Sequence, residues 1–537
     1  YIAQATPPGE DWLNQGFVAK SLDDEVPLPG LTVQQLHSMT DVTARMNAGI
    51  NDDDDVATIA AKRSANEEAI MKKARADHGD LDPRIISLYQ GGNFQLYLYR
   101  IYTDVRLVCA PHLQTAHFGG DPDNFTYPRY GIDFSFCRAY ENGRPVDSAG
   151  FYFPFKAEGP ARGESVFVTG SPGSTQRLLT LAELEYLRDV EHPMLLDVID
   201  TGLATMRARA AAGPEAEKQL RPRILQYENA QKAYTGYWAG LNDSTLMEQK
   251  AEAEEALRAK VDADPELSRK YGSAWDELAE ISEEKRTLTP SQRYHRSPGI
   301  PVLDRAMKIL DAVNPESTDE LRARAAAQAI KGTVEIDAER AAAFGPQLAA
   351  TRRWLGDDDD FVAAVIGDED PERAALILTG MSSLTDTVAV EAFISAGAEA
   401  VEKTHDPALV AARALRDAIR EKEERTPEIT AAENVHRTRI GQAVFAIYGT
   451  SVSPDATGSL RLSDGRVEGY DYNGTIAPAW TTFYGLYGRN VEFQNEYPFN
   501  LPQIWLDRVD RIDLSQPVDF VSTNDIIGGN SGSPVIN

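Results

Sequence analysis

Ser531 lies in Ile526-Ile527-Gly528-Gly529-Asn530-Ser531-Gly532-Ser533-Pro534, a setting in which a serine hydroxyl could act as a nucleophile. A hydroxyl attacks poorly at neutral pH, so such a serine needs a base to take its proton and donors to hold the developing oxyanion. Glycines at 529 and 532 let the chain turn tightly and bring main-chain N–H groups close to a substrate carbonyl. The plain alternative is a Gly/Ser/Asn turn between two strands, which any β protein can contain.

A base and an orienting acid must come from elsewhere. The best acid is Asp133 in Tyr130-Gly131-Ile132-Asp133-Phe134-Ser135-Phe136-Cys137-Arg138, at the entry to a predicted strand with apolar alternate residues. A partly buried carboxylate there could orient a neighbouring imidazole, although turn and strand-capping aspartates are common at such places. The base is harder to find. His37, His78, His192, His295, His405 and His436 stand in predicted helical or loop stretches with no partner motif around them. His112 and His117 lie close to Asp133 in sequence, but loop histidines more often hydrogen-bond locally or face solvent. Neither has Cys, His or carboxylate neighbours at metal-ligand spacing, and no metal or cofactor is expected. The runs Asp52 to Asp55 and Asp357 to Asp360 lack the spacing of a calcium loop. Each precedes an apolar helical pattern, beginning at Val56 and at Phe361, where acids cap N–H groups and favour the helix dipole.

The elements that must position these residues change texture twice. From about Leu88 to Thr175 the chain reads as short strands: Phe94 to Tyr99, Val105 to Val108, Phe134 to Phe136 and Val166 to Val168. Turn chemistry separates them at Glu141-Asn142-Gly143 and Ser171-Pro172-Gly173-Ser174, and a charged, alanine-rich helix is predicted near 55–78. From Leu178 to Arg437 alanine, leucine, glutamate and arginine dominate with helical spacing, as in Leu181 to Val190, Leu246 to Val261 and Ala408 to Ile419. Prolines at 214, 222, 265, 290, 301, 315, 346, 371, 407 and 427 are expected to punctuate this block into helices of ordinary length. After Arg439 strands return, at Ala443 to Tyr448 and Gly458 to Leu462, followed by a turn at Ser463-Asp464-Gly465-Arg466 and a strand at Val467 to Tyr470. The pattern is an α+β chain: a β domain over 1–177 and 438–537, interrupted by an α-helical domain over 178–437.

A chain of 537 residues is long enough for two or more folding units, and 42% hydrophobic residues can fill their cores. A formal charge of −29 excludes nucleic acid or an anionic membrane surface as the expected partner. No apolar run is long enough to span a bilayer. Cys109 and Cys137 are too few for a disulfide-stapled fold. They could pair with each other or with an outside thiol, and buried free thiols are the plainer expectation. The start, Tyr1-Ile2-Ala3-Gln4, is neither an initiator methionine nor a secretory signal and reads as the inside of a longer protein.

Three long motifs stand in order along the chain: Phe118-Gly119-Gly120-Asp121-Pro122-Asp123-Asn124-Phe125-Thr126-Tyr127-Pro128-Arg129 through Asp133 and Arg138, then Gly170 to Arg177, then Gly528 to Pro534. Together with Asn229-Ala230-Gln231-Lys232 and Gly236 to Leu241, they closely resemble the S46 family of dipeptidyl-peptidases across nearly the whole chain. That resemblance implies a chymotrypsin-like double β-barrel interrupted by a large helical domain that caps the cleft. It implies a serine exopeptidase that releases dipeptides from the free N-terminus of oligopeptides. Ser531 matches the nucleophile and Asp133 the triad aspartate, and a turn built as in chymotrypsin-type peptidases makes the N–H groups of Gly529 and Ser531 the oxyanion hole. The family's catalytic histidine lies in a Thr-Asn-His-His segment, which residues 1–537 do not contain, so none of the eight histidines is promoted to that role and these residues alone are expected to be inactive.

Dipeptide release requires acceptors for a free α-ammonium group in a blocked cleft. Asn124 matches one family anchor, with Phe125 beside it as an aromatic wall, and Asn229 matches a second in the helical block. A third anchor, an aspartate, and the position that helps separate acidic from hydrophobic P1 residues would follow Asn537. P1 preference is therefore not written in these residues. The resemblance also implies a periplasmic or surface location in a Gram-negative bacterium and a possible homodimer. Two other readings on the same fold are a non-catalytic peptide-binding protein and an endopeptidase.

Overall fold

The computed structural model describes every residue except 52, 296–299, 333, 335–340, 342, 343 and 424. Asp52, part of the first aspartate run, therefore lies outside the described residues. Two compact units divide the chain. One comprises Tyr1–Asp54, Thr58–Leu178 and Thr438–Asn537, the other Asp55–Ala57 and Leu179–Arg437.

The first unit is built on small antiparallel sheets. Asn93–Tyr102 is the centre of one, between Val33–Asp41 and Asp82–Leu88. Helix Val56–Asp77 packs on that sheet through Ile70 and Ala74, against Phe94, Leu96 and Leu98. Asp104–Ala110 is the core strand of a second sheet, pairing with Phe17–Val18, Val26–Pro27 and Phe136–Glu141. Phe136–Glu141 turns back into Arg144–Pro145 through Asn142 and Gly143, both in the left-handed region at φ 52° and 73°. Buried Glu25 is satisfied there by Arg138 Nε at 2.9 Å and the Tyr140 hydroxyl at 2.8 Å, which offsets the cost of burying a carboxylate. In the third sheet Ser165–Gly170 lies between Arg461–Arg466 and Val535–Ile536. A hairpin, Tyr470–Tyr472 with Thr475–Ala477, and a two-stranded ribbon, Trp480–Thr482 with Pro517–Phe520, complete the sheets of the unit.

The second unit is helical. Leu303, Ala306 and Leu310 repeat at i, i+3 and i+7 on helix Pro301–Ala312 and meet Phe361, Val362, Ala408, Ala412 and Leu415 in a dry core. Each fully buried leucine or phenylalanine side chain there contributes about 1.5–3 kcal/mol. Helix starts follow the expected chemistry. Thr180 and Glu183 form a capping box, and Asp264, Asp359, Asp370 and Asp386 accept from first-turn N–H groups. Asp359 thus does what the second aspartate run was expected to do.

Four expectations need correction. Ala443 to Tyr448 is not a strand but the end of helix Arg425–Tyr448, whose Ile440, Ala443 and Val444 are buried. Gly441 lets that helix approach the Tyr89 carbonyl more closely than any Cβ could tolerate. Ser463 to Arg466 is not a turn but part of strand Arg461–Arg466, where Gly465 leaves room for Asn524 rather than for a reversal. Pro222 and Pro290 do not break helices but lie inside Pro214–Leu241 and Ala274–Tyr294. Finally, Cys109 and Cys137 are both free thiols, yet Cys137 is exposed rather than buried.

Candidate active site

Ser531 sits at an exposed turn that leads into Val535–Ile536. That strand adds to Ser165–Gly170, with Val535 opposite Val168 and Thr169 N–H donating to the Pro534 carbonyl at 3.2 Å. The turn is closed internally. Asn530 N–H donates to the Ile527 carbonyl at 3.2 Å and Ser533 N–H to the Asn530 carbonyl at 2.8 Å. Among the described residues, the N–H groups of Gly529 and Ser531 make no such bond, so two donors flank the one that is used.

The segment Gly170–Arg177 grips this turn from the other side. Gly173 N–H donates to the Gly528 carbonyl at 2.7 Å. Gly529, at φ 104°, would place a Cβ 2.5 Å from Gly173 N, so conformation and space both demand glycine. Gly170 likewise leaves room for Asn530 and Ser533. Buried Asp455 holds the far end of the segment by accepting from Thr175 Oγ1 at 2.7 Å and Arg177 N–H at 2.8 Å, and Arg177 pairs with Asp525. Two motifs far apart in sequence thus form one piece of structure.

The segment carrying Asp133 is fixed separately. Phe118 packs edge-on against Phe499, at 5.6 Å between ring centroids, in a core with Leu486 and Leu501. Gly119 N–H donates to the Pro498 carbonyl at 3.0 Å, and the short helix Gly120–Asp123 ends at Asn124. Phe125 follows at φ 57° and is 62% exposed. A bulky aromatic held in the left-handed region and turned to solvent costs about 1–3 kcal/mol, an expense that clusters at ligand-binding segments. Ile132 N–H donates to the Thr115 carbonyl at 3.0 Å, which fixes the backbone just before Asp133. Asp133 itself is exposed, and the strand expected from Phe134 begins two residues later, at Phe136. Asn229 is an exposed residue of helix Pro214–Leu241 in the second unit.

The histidines fall in varied places. His112 lines a pocket of about 660 Å³ with Phe17, Ile504, Trp505 and Arg508, and burial pushes its imidazole pKa down. His192 is buried against Tyr234 and Tyr237 and is also pushed down by burial. His295 holds the residue types of a triad: its Nδ1 is 2.6 Å from Ser291 Oγ and its Nε2 is 2.9 Å from Asp359 Oδ2. Nothing local signalled this array, because Asp359 comes from another helix. Ser291 is only 2% exposed and Asp359 is also bound to the Phe361 and Val362 N–H groups, so the array ties helix ends together and offers no substrate access.

Sequence reading also missed Asp519, on Pro517–Phe520. Burial, reinforced by Asp133, pushes its carboxyl up to about 7, with Arg129 acting in the opposite direction. An aspartate in a short strand between Val518 and Phe520 carries no signal of such a neighbourhood.

A family description, peptidase S46, matches residues 1–537. The Asp/Glu-specific dipeptidyl-peptidase of Shewanella putrefaciens is 24% identical over 598 aligned positions, covering 100% of this chain and 80% of that protein. Dipeptidyl-peptidase 7 of Phocaeicola vulgatus is 26% identical, covering 100% of this chain and 79% of its own. Crystal structures of Porphyromonas endodontalis DPP11 have a similar fold. One matches with a TM-score of 0.77 at 19% identity, covering 100% of this chain and 81% of that one, and an alternate conformation matches at 0.61. No described helix is long and apolar enough to cross a membrane.

Proposed function

The chain belongs to the peptidase S46 family, and from that premise we propose that it is a serine exopeptidase releasing dipeptides from the free N-terminus of oligopeptides through an acyl-enzyme. Its relatives are named dipeptidyl-peptidases, and P. endodontalis DPP11 was crystallised with the dipeptides Arg-Glu and Arg-Asp. The observation that carries the reading is the turn at Ser531. It exposes a hydroxyl between glycines while leaving the Gly529 and Ser531 N–H groups without acceptors among the described residues, which is the donor set an oxyanion needs.

In this reading Ser531 attacks the scissile carbonyl and Gly529 and Ser531 hold the oxyanion. Asp133 orients a histidine base, which family resemblance assigns to a Thr-Asn-His-His segment outside residues 1–537. Water then deacylates the enzyme. Asn124 accepts from the substrate α-ammonium group and Phe125 walls the subsite. We read the small sheets of the first unit as parts of a chymotrypsin-like double β-barrel. On resemblance we also place the protein in the periplasm or at the cell surface, as a homodimer.

The test is hydrolysis of dipeptidyl fluorogenic amides by the gene product that carries this chain. Substrates with a free N-terminus are expected to be cleaved and N-acetylated ones refused. Equal cleavage of both would sink the exopeptidase assignment, and cleavage of internal bonds would favour an endopeptidase. Peptide binding without turnover would favour a non-catalytic binder.

A further inference from the structure

The first unit holds a pocket of about 660 Å³, within the size range of small-molecule sites. None of its lining residues belongs to the Ser531 turn, the Gly170–Arg177 segment or the segment from Phe118 to Asp133. It lies between strand Phe17–Val18, the end of strand Asp104–Ala110, and the stretch from helix Gln503–Leu506 through the turn Val509–Arg511.

Its walls are held from behind. Gly16, at φ 71°, would place a Cβ 3.2 Å from the Ala110 carbonyl oxygen, and Phe17 pairs with Ala110 in the sheet. The Phe17 ring rests against Trp12, at 4.7 Å between centroids. Trp505 is stacked on Phe483 at 6.1 Å, and its carbonyl accepts from the Tyr487 hydroxyl at 2.9 Å. Aromatic walls fixed in this way lose little further freedom when a ligand packs on them.

The charge at this pocket is positive and unpaired. Arg508 and Arg511 both line it, both are exposed, and neither side chain makes a hydrogen bond or ion pair among the described residues. The acids nearest in sequence do not neutralise them. Asp507 accepts from Gln503 Nε2 at 2.7 Å, and Asp513 accepts from the Ser515 hydroxyl at 2.6 Å and from Gln516 Nε2 at 2.9 Å. Asp510, between the two arginines in sequence, pairs with neither. Burial pushes the His112 imidazole pKa down, so near neutral pH it adds a hydrogen-bonding edge without charge. In a chain of formal charge −29, two guanidiniums without acids beside an apolar pocket call for an anion. The planar donors of arginine match the two oxygens of a carboxylate, and the apolar walls match the body that carries it.

We propose that this pocket is a binding site, separate from the Ser531 turn, for a carboxylate carried on an apolar body of small-molecule size. The carboxylate meets Arg508 and Arg511, and the body packs on Phe17, Ile504 and Trp505. A free aliphatic acid and the carboxyl terminus of a short apolar peptide both have this chemistry. The proposal does not depend on the dipeptidase reading.

The experiment is titration calorimetry at low salt on the gene product that carries this chain, in its Ser531→Ala form so that nothing is turned over. The probes are octanoate and N-acetyl-Leu-Phe, each beside its uncharged counterpart, octanamide and N-acetyl-Leu-Phe amide. At least one acid is expected to bind with a Kd of about 1 mM or tighter, and its amide at least about tenfold more weakly. Binding of octanoate alone identifies an aliphatic acid as the ligand, and binding of N-acetyl-Leu-Phe alone a peptide terminus.

Replacing both arginines, Arg508→Ala with Arg511→Ala, is expected to weaken binding of the acid by about tenfold or more and to leave its amide unmoved. Both side chains are exposed and unbonded among the described residues, so the double variant should unfold at the midpoint of its parent. No binding of either acid at about 10 mM, equal binding of acid and amide, or binding indifferent to the double variant would overturn the proposal. Dipeptide release by the wild-type protein is measured separately, so the two readings can fail independently.

Discussion

Gly173 donates its N–H to the carbonyl of Gly528 at 2.7 Å, and this bond ties the Gly170–Arg177 segment to the turn that carries Ser531. Gly529 lies so close to the same N–H that any side chain at 529 must push the two segments apart. The turn that carries Ser531 is therefore shaped by a partner segment as well as by its own glycines.

Gly529→Ala tests that coupling. The substitution combines strain at φ 104° with a clash against main chain, so it should destabilise the protein by about 1–3 kcal/mol. With the oxyanion role proposed for the Gly529 N–H, its displacement should lower kcat by about 100-fold or more, with KM less affected. Urea unfolding and steady-state kinetics report the two effects separately.

Ser531→Ala should remove turnover by a factor of at least about 1,000. Ser531 is exposed, so its unfolding midpoint should match that of wild type within error. An active Ser531→Ala protein would relocate the chemistry.

Asp455→Ala should cost about 2–4 kcal/mol, since it leaves the Thr175 hydroxyl and Arg177 N–H without their acceptor. It should also reduce kcat, because the segment it anchors buttresses the Ser531 turn. Asp455→Asn keeps one acceptor oxygen and should recover part of the stability.

Ser291→Ala addresses the array at His295. With Ser291 buried, kcat/KM should stay within about twofold of wild type, while stability falls by about 1–2 kcal/mol. A large loss of activity at unchanged stability would show that this array takes part in catalysis.

Stability should also depend on pH through Asp519. A carboxyl held near 7 in the folded state and near 4 when unfolded binds more protons folded than unfolded between those values. Stability is then lost as pH rises through that window, by on the order of a few kcal/mol, and Asp519→Asn should flatten the slope. Urea unfolding between pH 4.5 and 8 measures both curves.

Much of the secondary structure was legible because it is local. The alternation from Phe94 to Tyr99 made a strand, and the spacing in Leu246 to Val261 and Ala408 to Ile419 made helices. Reading failed where a neighbour overrode local preference. Ala443 to Tyr448 has the composition of a strand but continues a helix because Gly441 and its buried neighbours pack on the Tyr89 region. Gly465 looked like a turn glycine and is instead a gap for Asn524.

The ordered motifs by themselves determined the family, because short runs of glycine, asparagine, aspartate and serine at fixed offsets are read directly from the chain. They also named Ser531 and Asp133 as candidates without placing them. Only the tertiary structure decided that Gly173 buttresses the Ser531 turn, that His295 stands between Ser291 and Asp359, and that Asp519 Oδ2 is buried with no hydrogen-bond partner among the described residues. Those relationships depend on charge, burial and close approach between distant segments, and no periodicity along the chain encodes which segments will meet.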